Sequence, residues 1–220
     1  QNFYGGDLQG LIDQLDYLQN LGVTAIYLNP IFESPSNHKY DATDYGLIDD
    51  NFGDLALFQT LVSEADGRGM KLILDGVFNH TSSDSIYFDR YGRYTSVGAC
   101  ESHTSPYREW YYFTDVAPGT GTCVGSTGIP NAATYQSWFG YDSLPKLRAT
   151  SQPVRDLIWA DGTNSIGPYW IDQGAAGWRL DVGGDVDSGV LNDPANDYWE
   201  GFRVALRSVY SDTYITGEEW

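Results

Sequence analysis

The chain is poor in basic residues. Twelve Lys and Arg stand against thirty Asp and Glu, a formal charge of −18 over 220 residues. That excess repels phosphate backbones and anionic lipid, which excludes nucleic-acid binding and docking to acidic membrane as primary roles. No stretch reaches the ~20 apolar residues that a membrane-spanning helix needs. The opening Gln1-Asn2-Phe3-Tyr4 has neither Met nor an apolar signal core and reads as a cut end. Cysteine is scarce too: Cys100 and Cys123 are the only two and lack the Cys-x-x-Cys spacing of zinc or redox sites. They bracket a Gly/Ser/Thr-rich stretch with little apolar content, where a cross-link gains most. A disulfide, and with it a secreted or extracytoplasmic protein, is expected. What the chain does have is packing material. Hydrophobic residues are 41% and aromatic ones 15%, enough for one sizeable core and too much for a disordered chain.

That material alternates between two periods. Asp7 can cap a helix in which Leu8, Leu11, Ile12, Leu15, Leu18 and Leu21 share one face, with Gly22 placed to end it. Residues 23–30 follow as a short β-rich run with no charge, the pattern of a strand buried on both faces of a parallel sheet. The cycle repeats with a helix from Asp54 to Gly69 and a strand over residues 70–78. Periodicity lapses over residues 81–143, too long for a connection, so this segment is expected to be an inserted, loop-rich subdomain. Alternation resumes with a helical stretch over 153–173, a strand over 177–182, a helix over 197–210 and a strand over 213–220.

Repeated βα units predict a parallel sheet or barrel. No Gly-rich phosphate fingerprint follows any strand, which argues against a doubly wound dinucleotide-binding sheet. The expected fold is therefore α/β, a (β/α)8 TIM barrel that is incomplete in this chain. Residues 1–80 and 144–220 would be barrel segments, and residues 81–143 an insertion after the third barrel strand.

In a parallel barrel, chemistry gathers where strands run into their following loops. Each strand here ends in ionisable or amide side chains: Asp75, Asn79 and His80; Arg179 and Asp181; Glu218 and Glu219. Residues two apart share a face, so Arg179 and Asp181 point the same way. The guanidinium is expected to depress the pKa of Asp181, as a nucleophile requires. Asp181 and Glu218 lie one βα unit apart, on adjacent strands about 4.8 Å from each other. That is close to the roughly 5–5.5 Å carboxyl separation of retaining glycoside hydrolysis. Parity favours Glu218 over Glu219, since Glu218 shares a face with Thr216 and Tyr214 while Glu219 would turn to the helix layer.

These blocks resemble the α-amylase family of glycoside hydrolases. Asp75-Gly76-Val77-Phe78-Asn79-His80, Gly177-Trp178-Arg179-Leu180-Asp181 and Gly217-Glu218 look like its first three conserved blocks, in order and at the right strand ends. The resemblance implies Asp181 as nucleophile, Glu218 as general acid/base and Arg179 as orienter of the nucleophile. Asp75 and His80 would line the site and bind the sugar, Asn79 would brace barrel and insertion, and Tyr40 would stack on the sugar. Leu144-Pro145-Lys146-Leu147 and Ser137-Trp138-Phe139-Gly140 resemble blocks of neopullulanase-, cyclomaltodextrinase- and amylopullulanase-like members. The implied activity is retaining hydrolysis of α-1,4 glucosidic bonds in starch, pullulan or maltodextrins. Cleavage of α-1,6 bonds stays open, and so do an α-glucanotransferase and a non-catalytic, transporter-associated barrel. The turn Gly5-Gly6-Asp7 resembles one that holds a structural calcium ion in some members. Asp7 is also explained as a helix cap. No catalytic cofactor is implied.

Overall fold

The computed structural model describes residues 5–113, 123, 135–187 and 197–218. Four strands, β1 (Ala25–Tyr27), β4 (Lys71–Gly76), β5 (Gly177–Leu180) and β6 (Tyr214–Gly217), form one sheet in the order β1-β4-β5-β6 with every pairing parallel. Alternation divides the residues of this sheet cleanly. Leu72, Leu74, Trp178 and Leu180 belong to the hydrophobic core with Phe58, Trp170 and Phe202. The opposite face carries Tyr27, Asp75, Arg179 and Thr216, with Asp75 in register with Arg179 and Arg179 with Thr216.

The helices cover the apolar face. α1 (Leu8–Asp13) starts where the Asp7 carboxylate accepts from the Gly10 amide at 2.7 Å, and α3 (Leu55–Asp66) where Asp54 accepts from Leu57 at 2.8 Å. Both are side-chain N-caps placed by sequence. The first helix is not continuous. Gln14, at φ −103° and ψ 1°, separates α1 from α2 (Leu15–Asn20), while the apolar face of Leu11, Ile12 and Leu18 is kept against the core. The expected helix over 153–173 is also broken. It comprises α4 (Gln152–Arg155), a wide π-type turn over Asp156–Ala160, and α5 (Ile166–Asp172), which meets α7 (Tyr198–Val209). A Cβ at Gly167 would lie 2.8 Å from the Phe202 ring, so the helices close on each other at a glycine.

An antiparallel pair, β2 (Phe32–Glu33) with β3 (Asp44–Ile48), lies between β1 and α3 where the sequence pattern showed only a loop. The insertion has little regular structure among its described residues. Isolated bridges join Tyr111 to Leu147, Phe113 to Tyr135, and His80 to Lys146. Phe88 packs between Tyr111 and Tyr135, with ring centroids at 4.8 and 4.7 Å. Cys100 and Cys123 form a disulfide, Cα to Cα 5.0 Å. Glu219 and its expected turn toward the helix layer lie outside the described residues.

Candidate active site

The site is assembled at the carboxyl ends of β4, β5 and β6. Parallel pairing continues past the strands: the Asp181 amide donates to the Gly76 carbonyl at 3.1 Å, and the Glu218 amide to the Leu180 carbonyl at 2.9 Å. Leu180 is in register with Gly217, so Asp181 and Glu218 stand level on neighbouring chains. Arg179, one pleat below, reaches all three acids. Its Nη1 donates to Asp75 at 3.0 Å and to Asp181 at 2.9 Å, and its Nη2 lies 2.9 Å from Glu218 Oε2. The Val182 amide donates to the same Glu218 oxygen at 3.0 Å.

One cation among three carboxylates does not depress the pKa of Asp181. Burial of its carboxyl and repulsion from Asp75 outweigh the Arg179 hydrogen bond, and the group is pushed up to about 6. The expected depression is therefore reversed, because the sequence showed the guanidinium and could not show how deep the carboxylate sits. Val182, directly after Asp181, has φ +44°, a left-handed conformation that a β-branched residue avoids. It turns the chain from β5 into the short helix α6 (Gly183–Val186), and in doing so aims its own amide at Glu218. Strain of this kind gathers at sites whose geometry the surrounding structure fixes.

Asp75 is placed differently from expectation. Its side chain is 0% exposed and does not line the cleft. It accepts from Tyr27, from Tyr40 at 3.2 Å and from Arg179, so it anchors other site residues from beneath. Burial raises its pKa, and those donors oppose the rise. Tyr40 and His80 do line the cleft. His80 Nε2 lies 3.0 Å from the Tyr40 carbonyl and its Nδ1 3.2 Å from Asn79 Nδ2, and burial pushes its pKa down to about 4. At neutral pH the ring is uncharged, so its Nε2–H donates to Tyr40 and its Nδ1 accepts from Asn79. Both nitrogens are thus engaged by protein, and the ring contributes a wall to the cleft, stacked on Trp138 at 5.8 Å. Asn79 is buried, and its carbonyl accepts from the Leu147 amide at 2.9 Å, tying the segment after β4 to the one that follows the insertion.

The cleft holds about 530 Å³, bounded by Tyr40, His80, Arg179, Asp181 and Glu218 on the sheet side, by Trp138 and Tyr141 from the insertion, and by Leu144 just after it. Tyr27, Trp138, Tyr141 and Val182 are site residues that sequence reasoning passed over. Tyr27 sat in a run without charge, where parity had no polar residue to register against. Trp138 lies in the 137–140 block, but only folding brings it to His80. Gly5 and Asp7 lie at the start of α1, and one Asp7 oxygen is already engaged by the Gly10 amide. Among the described residues no group of three or more His, Cys, Asp or Glu converges to hold a metal ion.

A parallel α/β sheet with two level carboxylates and a bridging arginine at its carboxyl edge has the arrangement of a βα barrel, whose polar site gathers at that edge. The profile of the family described as alpha amylase, catalytic domain, matches residues 1–220, and the chain belongs to that family. It is 42% identical to an amylopullulanase from Thermoanaerobacter thermohydrosulfuricus over 239 aligned residues, covering 100% of this chain and 15% of the relative. It is 39% identical to neopullulanase 2 from Thermoactinomyces vulgaris, covering 100% of this chain and 33% of the relative. Among solved structures, a cyclic α-maltosyl-(1→6)-maltose hydrolase from Arthrobacter globiformis superposes with TM-score 0.80 at 36% identity. That match covers 100% of this chain and 43% of the other. A debranching enzyme from Nostoc punctiforme gives TM-score 0.81 at 33% identity, over 100% of this chain and 40% of the other. The chain thus spans between 15% and 33% of these two curated relatives and holds part of the (β/α)8 barrel.

Proposed function

We propose that the parent protein is a retaining hydrolase of α-linked glucans, with Asp181 as nucleophile, Glu218 as general acid/base and Arg179 as the group that orients both. The observation that carries this reading is the level placement of Asp181 and Glu218 on adjacent parallel strands, both bonded to one guanidinium. Asp181 attacks the anomeric carbon while Glu218, protonated on its other oxygen, gives that proton to the departing glycosidic oxygen. The resulting glycosyl ester is then opened by water, whose proton returns to Glu218. Tyr40, His80 and Trp138 supply ring surfaces against which pyranose faces pack. The names of the relatives support pullulan, starch-derived and cyclic maltosaccharides as substrates. The Cys100–Cys123 disulfide supports an extracytoplasmic setting.

The test is chromatography of pullulan and maltodextrin digests by this chain and by Asp181→Asn. Products that fall by roughly 10⁴-fold in the variant, at unchanged fold, are expected. Panose identifies α-1,4 and maltotriose α-1,6 cleavage, and saccharides longer than the substrate identify transfer. Equal turnover by both proteins overturns the nucleophile assignment.

A further inference from the structure

The segment between β2 and β3 holds a set of polar residues that the reaction does not use. Lys39 is 2% exposed, and its Nζ donates to Asp49 at 2.6 Å and to the Ser34 carbonyl at 3.1 Å. The ammonium also lies 5.8 Å from the Phe52 ring centroid. The Lys39 amide donates to Ser36 Oγ at 3.1 Å, and Asp41 accepts from the hydroxyls of Ser34, at 2.6 Å, and Ser36. Lys39 has φ +65°, a left-handed backbone that a lysine adopts only when its surroundings demand it.

The residue this turn delivers is Tyr40. Its hydroxyl donates to Asp75 at 3.2 Å, its carbonyl lies 3.0 Å from His80 Nε2, and its ring faces the cleft. Residues 39 and 41 on either side are thus both fixed by buried polar contacts, away from the cleft itself. We propose that Lys39 is a positioning residue: its buried tie to Asp49 holds the left-handed turn that presents the Tyr40 ring to the sugar and the Tyr40 carbonyl to His80. A core lysine that merely stabilised the loop would be replaceable, at some loss of stability, without any change in the cleft. A positioning lysine would not be.

Two measurements on Lys39→Met in this chain decide the matter. The first needs no ligand. The chain has three histidines, so the His80 ring is resolved by NMR titration. It is expected to titrate near 4 in the parent and to shift in Lys39→Met, because the Tyr40 carbonyl that accepts from Nε2 and the packing that buries the ring are both disturbed. The second is calorimetric affinity for maltotetraose in Lys39→Met, Tyr40→Ala and the double variant, and only this arm rests on the function proposed above. Lys39→Met is expected to weaken binding about tenfold, and to add nothing once Tyr40 is alanine. Lys39→Met/Asp49→Asn, which removes both charges, is measured alongside and serves where the single variant does not fold. Unchanged His80 titration in a folded variant, or additive losses in the cycle, overturns the proposal. If the parent chain does not bind maltotetraose, the functional reading fails while the histidine titration still decides the role of Lys39.

Discussion

Asp181, the proposed nucleophile, illustrates how a buried carboxylate is held at a cost to folding. Its native pKa of about 6 lies above the unfolded value, so the folded state binds the proton more tightly. The sign follows directly. This group disfavours the folded state above pH 6, and the penalty fades as pH falls through 6 and is gone below about 4. Asp181→Asn, which mimics the protonated form, should therefore be more stable than the parent at pH 7.5 by on the order of 3 kcal/mol, and no more stable at pH 3.5. Thermal unfolding of the two proteins at both pH values checks this, and a variant less stable at pH 7.5 would contradict it. The same substitution thus separates the chemical role of the carboxylate from its energetic one. Arg179 was legible as its partner from parity alone, whereas the third carboxylate, Asp75, and its repulsion of Asp181 required the register of β4 against β5.

At the level of elements, glycines show why the strands approach as they do. A Cβ on Gly177 would stand 2.0 Å from the Tyr214 carbonyl oxygen, so β5 can begin its pairing with β6 only with glycine at that position. The motif's first residue is therefore a packing requirement that precedes its chemistry. The insertion depends on a different device. With few ladders among its described residues, it is joined by isolated bridges, the Phe88 ring cluster and a disulfide closing a separation of 23 residues. Removing that cross-link by Cys100→Ser/Cys123→Ser should lower stability by about 3 kcal/mol through the freed unfolded chain. Differential scanning calorimetry of oxidised parent and variant measures the loss, and equal midpoints would show that the loop is ordered by packing alone. The pair β2–β3 was missed in sequence because Phe32–Glu33 is two residues long, too short for period 2 to register. The pattern over 153–173 looks continuous in sequence because the π-type turn at Asp156–Ala160 keeps Ile158 buried and so preserves the apolar spacing across the break.

For the molecule as a whole, a charge of −18 adds self-repulsion to every folded conformation. Raising salt from about 10 mM, where charges interact over ~30 Å, to 1 M, where the range is ~3 Å, should raise the melting temperature by several degrees. A melting temperature independent of salt would show that local ion pairs such as Arg68–Glu64 and Arg90–Asp142 already balance the excess.

The sequence by itself determined the alternation of helices and strands, the N-caps at Asp7 and Asp54, and the sheet edge that would carry chemistry. Each of these depends on residues near in sequence or on a fixed period. Tertiary structure alone decided that Asp75 lies beneath the cleft, that Trp138 meets His80 from across the insertion, and that burial lifts Asp181 despite Arg179. Those outcomes depend on depth and on distances between segments 58 to 106 residues apart, such as His80 to Trp138 and Asp75 to Asp181. Burial and long-range repulsion are properties of the assembled fold, and no local pattern encodes them.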